Sequence, residues 1–139
     1  LNDYFKKLGL KGTSISRRML DFLARKRGKE NYTTAQDMAL ILRKLYRREF
    51  MDLETSERCL RYLKHQKVKN RIRAKLPPDI IVANKSGTER YVCHDCGLML
   101  TPKGGMLICV LTYRAPSKKA ASEFISRLAF YAYNYLQQI

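Results

Sequence analysis

The chain has no tryptophan, only two histidines, and 12 acidic residues set against 28 basic ones. Each scarcity narrows the reading. Nowhere do the roughly 20 apolar residues needed for a membrane-crossing helix run together, and the N-terminus lacks the basic, apolar, small-residue order of a signal peptide. Glycine and proline number only 7 and 4, and no internal repeat or low-complexity segment interrupts the pattern. The four cysteines, Cys59, Cys93, Cys96 and Cys109, are not spaced like a small secreted disulfide scaffold, which leaves their redox state open. Cys93-His94-Asp95-Cys96 has the spacing of half a zinc site. A structural site needs four ligands, however, and Cys59, Cys109 and His65 provide no second close pair. A redox Cys-x-x-Cys normally opens a helix, whereas this one runs into the strand-like Leu98, Met99 and Leu100. The thiols are read as small and buried, with no metal and no cofactor expected.

What is present is enough for one domain with a core. A chain of 139 residues, 45% of them hydrophobic, can bury about two thirds of its unfolded surface. It opens on Leu1, not Met, and enters at once into Leu1, Tyr4, Phe5 and Leu8, an apolar stripe at helical spacing. That opening reads as part of something longer.

The spacing predicts a first helix to Leu8, broken by Gly9 and Gly12, and a second over Ser14 to Arg25 carrying Ile15, Met19, Leu20, Leu23 and Ala24. After a polar loop to Tyr32, Thr33 and Thr34 offer hydroxyls to cap a third helix with Met38, Ala39, Leu42, Leu45 and Tyr46 on one face, ending near Arg47 or Arg48. Thr55 or Ser56 can cap a fourth, and Val68 to Lys75 reads as a short basic helix stopped by Pro77-Pro78. The period then changes. Ile80 to Ala83, Gly97 to Leu100 and Met106 to Thr112 are short apolar runs expected as strands, the last two joined by a turn at Thr101 to Gly105. A closing helix from Ser117 to Gln137 should cover the sheet with Ala121, Phe124, Ile125, Leu128, Ala132, Tyr135 and Leu136. The fold class is α+β: helices, then a three-stranded antiparallel sheet, then a C-terminal helix. So thin a sheet is expected to need upstream chain to complete it.

Lys85-Ser86-Gly87-Thr88 follows the first predicted strand directly. An ammonium, a hydroxyl and a glycine at a strand edge can hold a substrate carboxylate while its backbone passes close. By themselves these are common turn residues. Their context is more specific: Thr33-Thr34-Ala35-Gln36-Asp37-Met38-Ala39, Leu76-Pro77-Pro78 and Val82-Ala83-Asn84-Lys85-Ser86-Gly87-Thr88 occur in an order that resembles the C-terminal half of the class A β-lactamases and their penicillin-recognising relatives. His94-Asp95-Cys96-Gly97-Leu98-Met99 resembles that family's next strand, Pro102 to Gly104 its hairpin turn, Val110-Leu111-Thr112 the following strand, and Ser117 onward its terminal helix. The resemblance covers nearly the whole chain.

It implies a β-lactamase or transpeptidase-like fold. Residues 1–76 would be the remainder of the helical subdomain, with a shortened omega-like loop at 21–33, and residues 77–139 the sheet side, all in one structural domain. It also implies serine acyl transfer on a β-lactam or D-alanyl peptide. Three motifs converge in that chemistry: Ser-x-x-Lys, Ser-Asp-Asn and Lys-Thr/Ser-Gly. Only the third is here. The residues three positions after each serine are Arg17, Met19, Cys59, Glu89, Ala120, Ile125 and Ala129, so none is lysine. The upstream portion of the same protein is expected to supply the nucleophile, since Leu1 aligns just after the second motif.

Carried over residue by residue, Lys85 supplies positive charge to the substrate carboxylate and to the proton network of the serine. Ser86 hydrogen-bonds that carboxylate, Gly87 gives close passage, and the Thr88 N–H donates to the oxyanion. Asn31 matches the loop asparagine that helps place the hydrolytic water, and Glu30 is the candidate general base. Here the sequence departs from the pattern: Glu30 adjoins Asn31 where the family leaves three residues between them. Without a positioned base the acyl-enzyme would persist, as in a penicillin-binding protein. The resemblance further implies the periplasm or cell exterior.

A rival reading rests on charge. The net charge is +16, and Arg61, Lys64, Lys67, Lys69, Arg71, Arg73 and Lys75 form a basic run. That run is read first as a solvated face, with an anionic polymer such as cell-wall material, or an anionic membrane surface, as the sharper alternative. Nucleic acid fits less well, because only Tyr62 interleaves the run and no nucleic-acid motif accompanies it. On this reading the chain is a non-catalytic binding module that keeps the fold.

Overall fold

The computed structural model describes residues 1–139. Helices α1 (Asn2–Leu8), α2 (Phe22–Lys26), α3 (Ala35–Tyr46) and α4 (Leu53–Lys64) precede a short 3-10 helix (Ile72–Lys75), and strands β1 (Ile81–Thr88), β2 (Val92–Thr101) and β3 (Gly104–Tyr113) precede α5 (Lys118–Gln138). The sheet is antiparallel in the order β1-β2-β3. No helix is long and apolar enough to cross a membrane.

Side chains alternate across the sheet and split the core in two. Val82, Cys93, Met99, Ile108 and Val110 pack with Ile72, Leu76 and the α5 residues Ala121, Ile125 and Ala129. On the other face Ala83 and Leu98 meet Leu45 of α3 and Leu60 of α4. Of the apolar residues expected to seat α5, Ala121 and Ile125 are buried, but Phe124, Leu128 and Tyr135 are exposed. The buried stripe runs instead through Ala121, Ile125, Ser126 and Ala129, whose small members let the helix lie close to the sheet.

Helix α3 begins where its hydroxyl dictates: Thr34 is the N-cap and accepts from the Asp37 N–H at 3.1 Å. Asp37 in turn takes the Gly12 N–H at 2.8 Å and the Thr13 hydroxyl at 2.6 Å, tying the α1 exit to the α3 start. The α4 cap is Asp52, not Thr55 or Ser56. Its carboxylate accepts from the Thr55 N–H at 2.7 Å, while Ser56 turns inward to the Phe50 carbonyl.

The helix expected over Ser14 to Arg25 is mostly absent, and only Phe22–Lys26 is helical. Two asparagines are part of the reason. Asn2 Oδ1 accepts from Ile15 N, and Asn31 Oδ1 accepts from Ser16 N and Arg17 N at 2.9 and 3.0 Å. These bonds, together with Leu20 at φ 62, outside the right-handed helical region, and the Asp21 cap that starts α2 afresh, hold residues 14–20 in a non-helical path. Ser14 and Tyr32 close the neck of the loop as an isolated β-bridge. The basic segment before Pro77 shortens likewise, to the single 3-10 turn at Ile72–Lys75.

Strand β1 runs on through Lys85-Ser86-Gly87-Thr88, and β2 begins at Val92, well before Gly97. Gly97 packs directly against β1: a Cβ there would lie 2.7 Å from Asn84 Cβ and 3.1 Å from the Ala83 carbonyl oxygen. Gly97→Ala is therefore expected to destabilise the fold by about 1–3 kcal/mol, read from the midpoint of denaturant unfolding.

Candidate active site

Strand β1 pairs with β2 alone and so forms one edge of the sheet. An edge strand presents unpaired backbone N–H and C=O groups, along which an extended ligand can lie. The outer half of β1 carries Lys85, Ser86, Gly87 and Thr88, paired in register with Cys96, Asp95, His94 and Cys93. By strand alternation Lys85 and Gly87 share the face of Ala83, toward α3 and α4. Ser86 and Thr88 share the face of Val82, toward the 3-10 helix and α5.

The Lys85 side chain is exposed, and its Nζ donates only to the Ser86 carbonyl, at 2.5 Å. No carboxylate is within ion-pairing reach of it. Gly87 is not required by packing, since an added Cβ would meet His94 at 3.8 Å, ordinary contact. The chain thus presents a cation without a counter-ion beside a hydroxyl and a bare backbone.

Behind this edge lies Arg71, which is 5% exposed. One of its Nη atoms donates to the Gly87 carbonyl at 3.0 Å and the His94 carbonyl at 2.5 Å, and the other donates to the Thr88 hydroxyl. Arg71 is in turn positioned by its neighbour: the Ile72 N–H donates to Asp95 at 3.2 Å, and Asp95 also accepts from Asn84 Nδ2 at 2.9 and 3.2 Å. Asp95 is fully buried. Burial pushes its carboxyl above the ordinary range, against the pull of the Asn84 and Ile72 donors and of the Arg71 and Lys85 charges. His94 shifts the other way, held below the usual imidazole value by burial and by Arg71, even though a hydrogen bond near Cys93 opposes this. Its Nδ1 accepts from Thr112 N at 3.0 Å, so Nε2 carries the proton of the neutral ring.

Glu30 and Asn31 belong to a separate cluster. Glu30 Oε1 accepts from Arg17 Nε at 2.8 Å and from the Asn31 N–H at 2.9 Å, and Oε2 pairs with Arg25 Nε at 2.8 Å. Arg25 also pairs with Glu89 at 2.5 Å. Burial pushes the Glu30 carboxyl up, but the Asn31 N–H and the two guanidiniums outweigh it and hold the group below its ordinary value. Asn31 holds the loop neck through Ser16 and Arg17, as above, and donates to the Arg17 carbonyl at 3.1 Å. Glu30, Asn31, Glu89, His94 and Thr112 line one cavity of about 610 Å³ that does not include Lys85 to Thr88. No hydrogen bond joins the two groups.

The structure therefore brings Lys85, Ser86, Gly87 and Thr88 together on one edge and leaves Glu30 and Asn31 in a neighbouring ion cage. Arg71, Asn84 and Asp95 escaped identification from the sequence as a unit. Arg71 was hidden in a run of basic residues, and Asp95 lay inside a Cys-x-x-Cys. That motif is in a strand, where an offset of three puts its thiols on opposite faces: Cys93 contacts Ser122 of α5 at 3.6 Å, and Cys96 stands opposite Cys109 on β3. One ion cannot take both.

Comparison with known proteins identifies the fold and the family. The chain aligns over 99% of its length, and 53% of the other's, with a β-lactamase from Sphaerobacter thermophilus at 26% identity and a TM-score of 0.88. It has the fold of PBP-A in an acyl-enzyme complex with penicillin G, at 22% identity and TM-score 0.83, over 99% of this chain and 51% of that one. It also has the fold of the TLA-1 extended-spectrum β-lactamase, at 21% identity and TM-score 0.87, over 97% and 53%. The chain spans about half the length of these structures, and no curated protein matches it in sequence. The model of the β-lactamase enzyme family matches residues 1–136. With the helices, antiparallel sheet, closing helix and Lys-Ser-Gly edge in place, the chain belongs to the β-lactamase enzyme family.

Proposed function

We propose that Lys85 to Thr88 form the carboxylate-binding and oxyanion side of a serine acyl-transfer site for β-lactam amides. The observation that carries this reading is the free edge of β1, with an exposed, unpaired ammonium, a hydroxyl and a glycine that packing does not require. The nucleophile belongs to a Ser-x-x-Lys segment outside these 139 residues. Its oxygen attacks the lactam carbonyl, the C–N bond breaks, the ring nitrogen takes a proton, and an ester to the serine remains. Lys85, with Arg71 behind the strand, attracts the substrate carboxylate, and the Ser86 hydroxyl donates to it. The Thr88 N–H is one oxyanion donor and the nucleophile's own N–H the other. A cell-wall substrate puts the protein in the periplasm or outside the cell.

Hydrolysis of the ester is slow on this reading. Both Glu30 oxygens are engaged by guanidiniums, and a carboxylate so stabilised is a weak base. Glu30→Gln is expected to change the deacylation rate by less than about tenfold, whereas loss of a working general base costs about 10²- to 10⁴-fold. Decay of the adduct, followed by intact mass, separates the two.

A further inference from the structure

We propose that Cys96 and Cys109 are a redox-active pair that closes to a disulfide across β2 and β3 when it meets an oxidant of the disulfide class. The two residues are direct partners in the β2–β3 register, so their side chains leave the same face of the sheet. Both are free thiols.

The rung of the ladder that they occupy suits such a bond. The Arg114 N–H donates to the Tyr91 carbonyl on the line of the β2–β3 pairing, and the Glu89 N–H donates to the Val92 carbonyl on the line of the β1–β2 pairing. Odd-numbered residues of β2 therefore turn their backbone groups toward β3, and even-numbered ones turn theirs toward β1. Cys96 and Cys109 are thus a non-hydrogen-bonded pair. Opposed residues come closest in such a pair, with Cα atoms about 4.5 Å apart, within the range of roughly 4.4–6.8 Å that a disulfide spans. Cys93 has no such partner, since Thr88 and Thr112 stand opposite it. The Cys-x-x-Cys spacing conceals a cross-strand pair whose second member lies on the next strand.

The two thiols are also unequal. Cys96 is buried and Cys109 half-buried. A hydrogen bond between them, and then burial, pushes the Cys96 thiol up, while the same bond holds Cys109 below its ordinary value against the opposing effect of burial. Cys109 is accordingly the first nucleophile. Its thiolate attacks one sulfur of the oxidant RSSR, forming a mixed disulfide and releasing one RS group. Cys96 then gives up its proton and attacks the Cys109 sulfur, the bond to the second RS group breaks, and the Cys96–Cys109 bond forms. The pair loses two electrons and two protons, and RSSR becomes two RSH. Closing the loop between residues 96 and 109 restricts the unfolded chain and so strengthens the hairpin. Such a bond persists outside the cytosol and opens in a reducing compartment.

The test exposes the reduced, folded, full-length protein to glutathione disulfide, alkylates the remaining thiols in denaturant, and maps the linkages by peptide mass spectrometry without reduction. A Cys96–Cys109 bond is expected, with Cys59 and Cys93 alkylated and a urea midpoint raised by about 1 M that falls back with dithiothreitol. Cys96→Ser and Cys109→Ser should each lose that shift, and the linkage map of the unaltered protein keeps the test valid if a variant folds poorly. Neither thiol belongs to the Lys85 to Thr88 edge, so the result does not depend on the acyl-transfer reading. A bond from either residue to Cys59 or Cys93, glutathione retained on Cys109, no oxidation of the folded protein, or an unmoved midpoint after the bond has formed overturns the proposal.

Discussion

Lys85→Ala is expected to slow acylation of the full-length protein by penicillin about 10²- to 10³-fold, the loss typical when one preorganised group facing developing charge is removed. The fold should hardly notice. Lys85 is exposed and touches only the Ser86 carbonyl, so the change in stability should stay within about 0.5 kcal/mol. That separation makes the variant informative, because a residue used for packing would lose both. Lys85→Arg keeps the charge but replaces a compact ammonium by a planar fork, and should recover carboxylate attraction better than acylation rate. Stopped-flow labelling with a fluorescent penicillin measures both variants, and acylation of Lys85→Ala at the unaltered rate removes Lys85 from the site.

Asp95→Ala is expected to cost about 3–5 kcal/mol of stability, because it strands groups buried with the carboxylate. Asn84 Nδ2 and the Ile72 N–H lose their acceptor. Asp95→Asn keeps one acceptor oxygen and should cost much less. The two differ in pH dependence as well. Burial holds the folded Asp95 pKa above its unfolded value of 3.8. Its contribution is therefore fully present below that value and is lost as pH rises through the folded pKa. The advantage of the unaltered protein over Asp95→Asn should narrow from about pH 4 upward. Urea unfolding of the three proteins across that range gives the comparison, and an advantage that grows with pH would mean that Asp95 is stabilised as the anion.

Local chemistry was legible wherever one residue decides. Thr34 announced α3 because a hydroxyl before an amphipathic run has few better uses, and Pro77-Pro78 marked where the helices stop. The α4 start was placed too late, at Thr55 or Ser56, because Asp52 takes the cap: Thr55 gives both its amide and its hydroxyl to that carboxylate, and Ser56 is buried. Residues 14–20 had helical periodicity, yet Asn2 and Asn31, distant in sequence, claim their backbone amides. The extension of β1 over Lys85 to Thr88 could not be seen from polarity, because an edge strand facing a site carries the polar residues of a turn.

The site divides in the same way. Lys85, Ser86, Gly87 and Thr88 could be read because they are contiguous and stand in order with their flanking motifs. Arg71 and Asp95 could not, because their roles arise only when the 3-10 helix folds across the ends of β1 and β2. Glu30 and Asn31 were identified as a pair, but their partners Arg17, Arg25 and Glu89 come from both sides of the loop and set what each can do.

The decisive measurement is an intact-mass time course of the full-length protein with benzylpenicillin. A stoichiometric adduct on a serine that persists long after excess penicillin is removed is the result expected of an acylating edge at Lys85 to Thr88 with no free base at Glu30. Absence of any adduct on the folded protein would contradict acylation, and an adduct that forms and clears with steady turnover would contradict the idle Glu30.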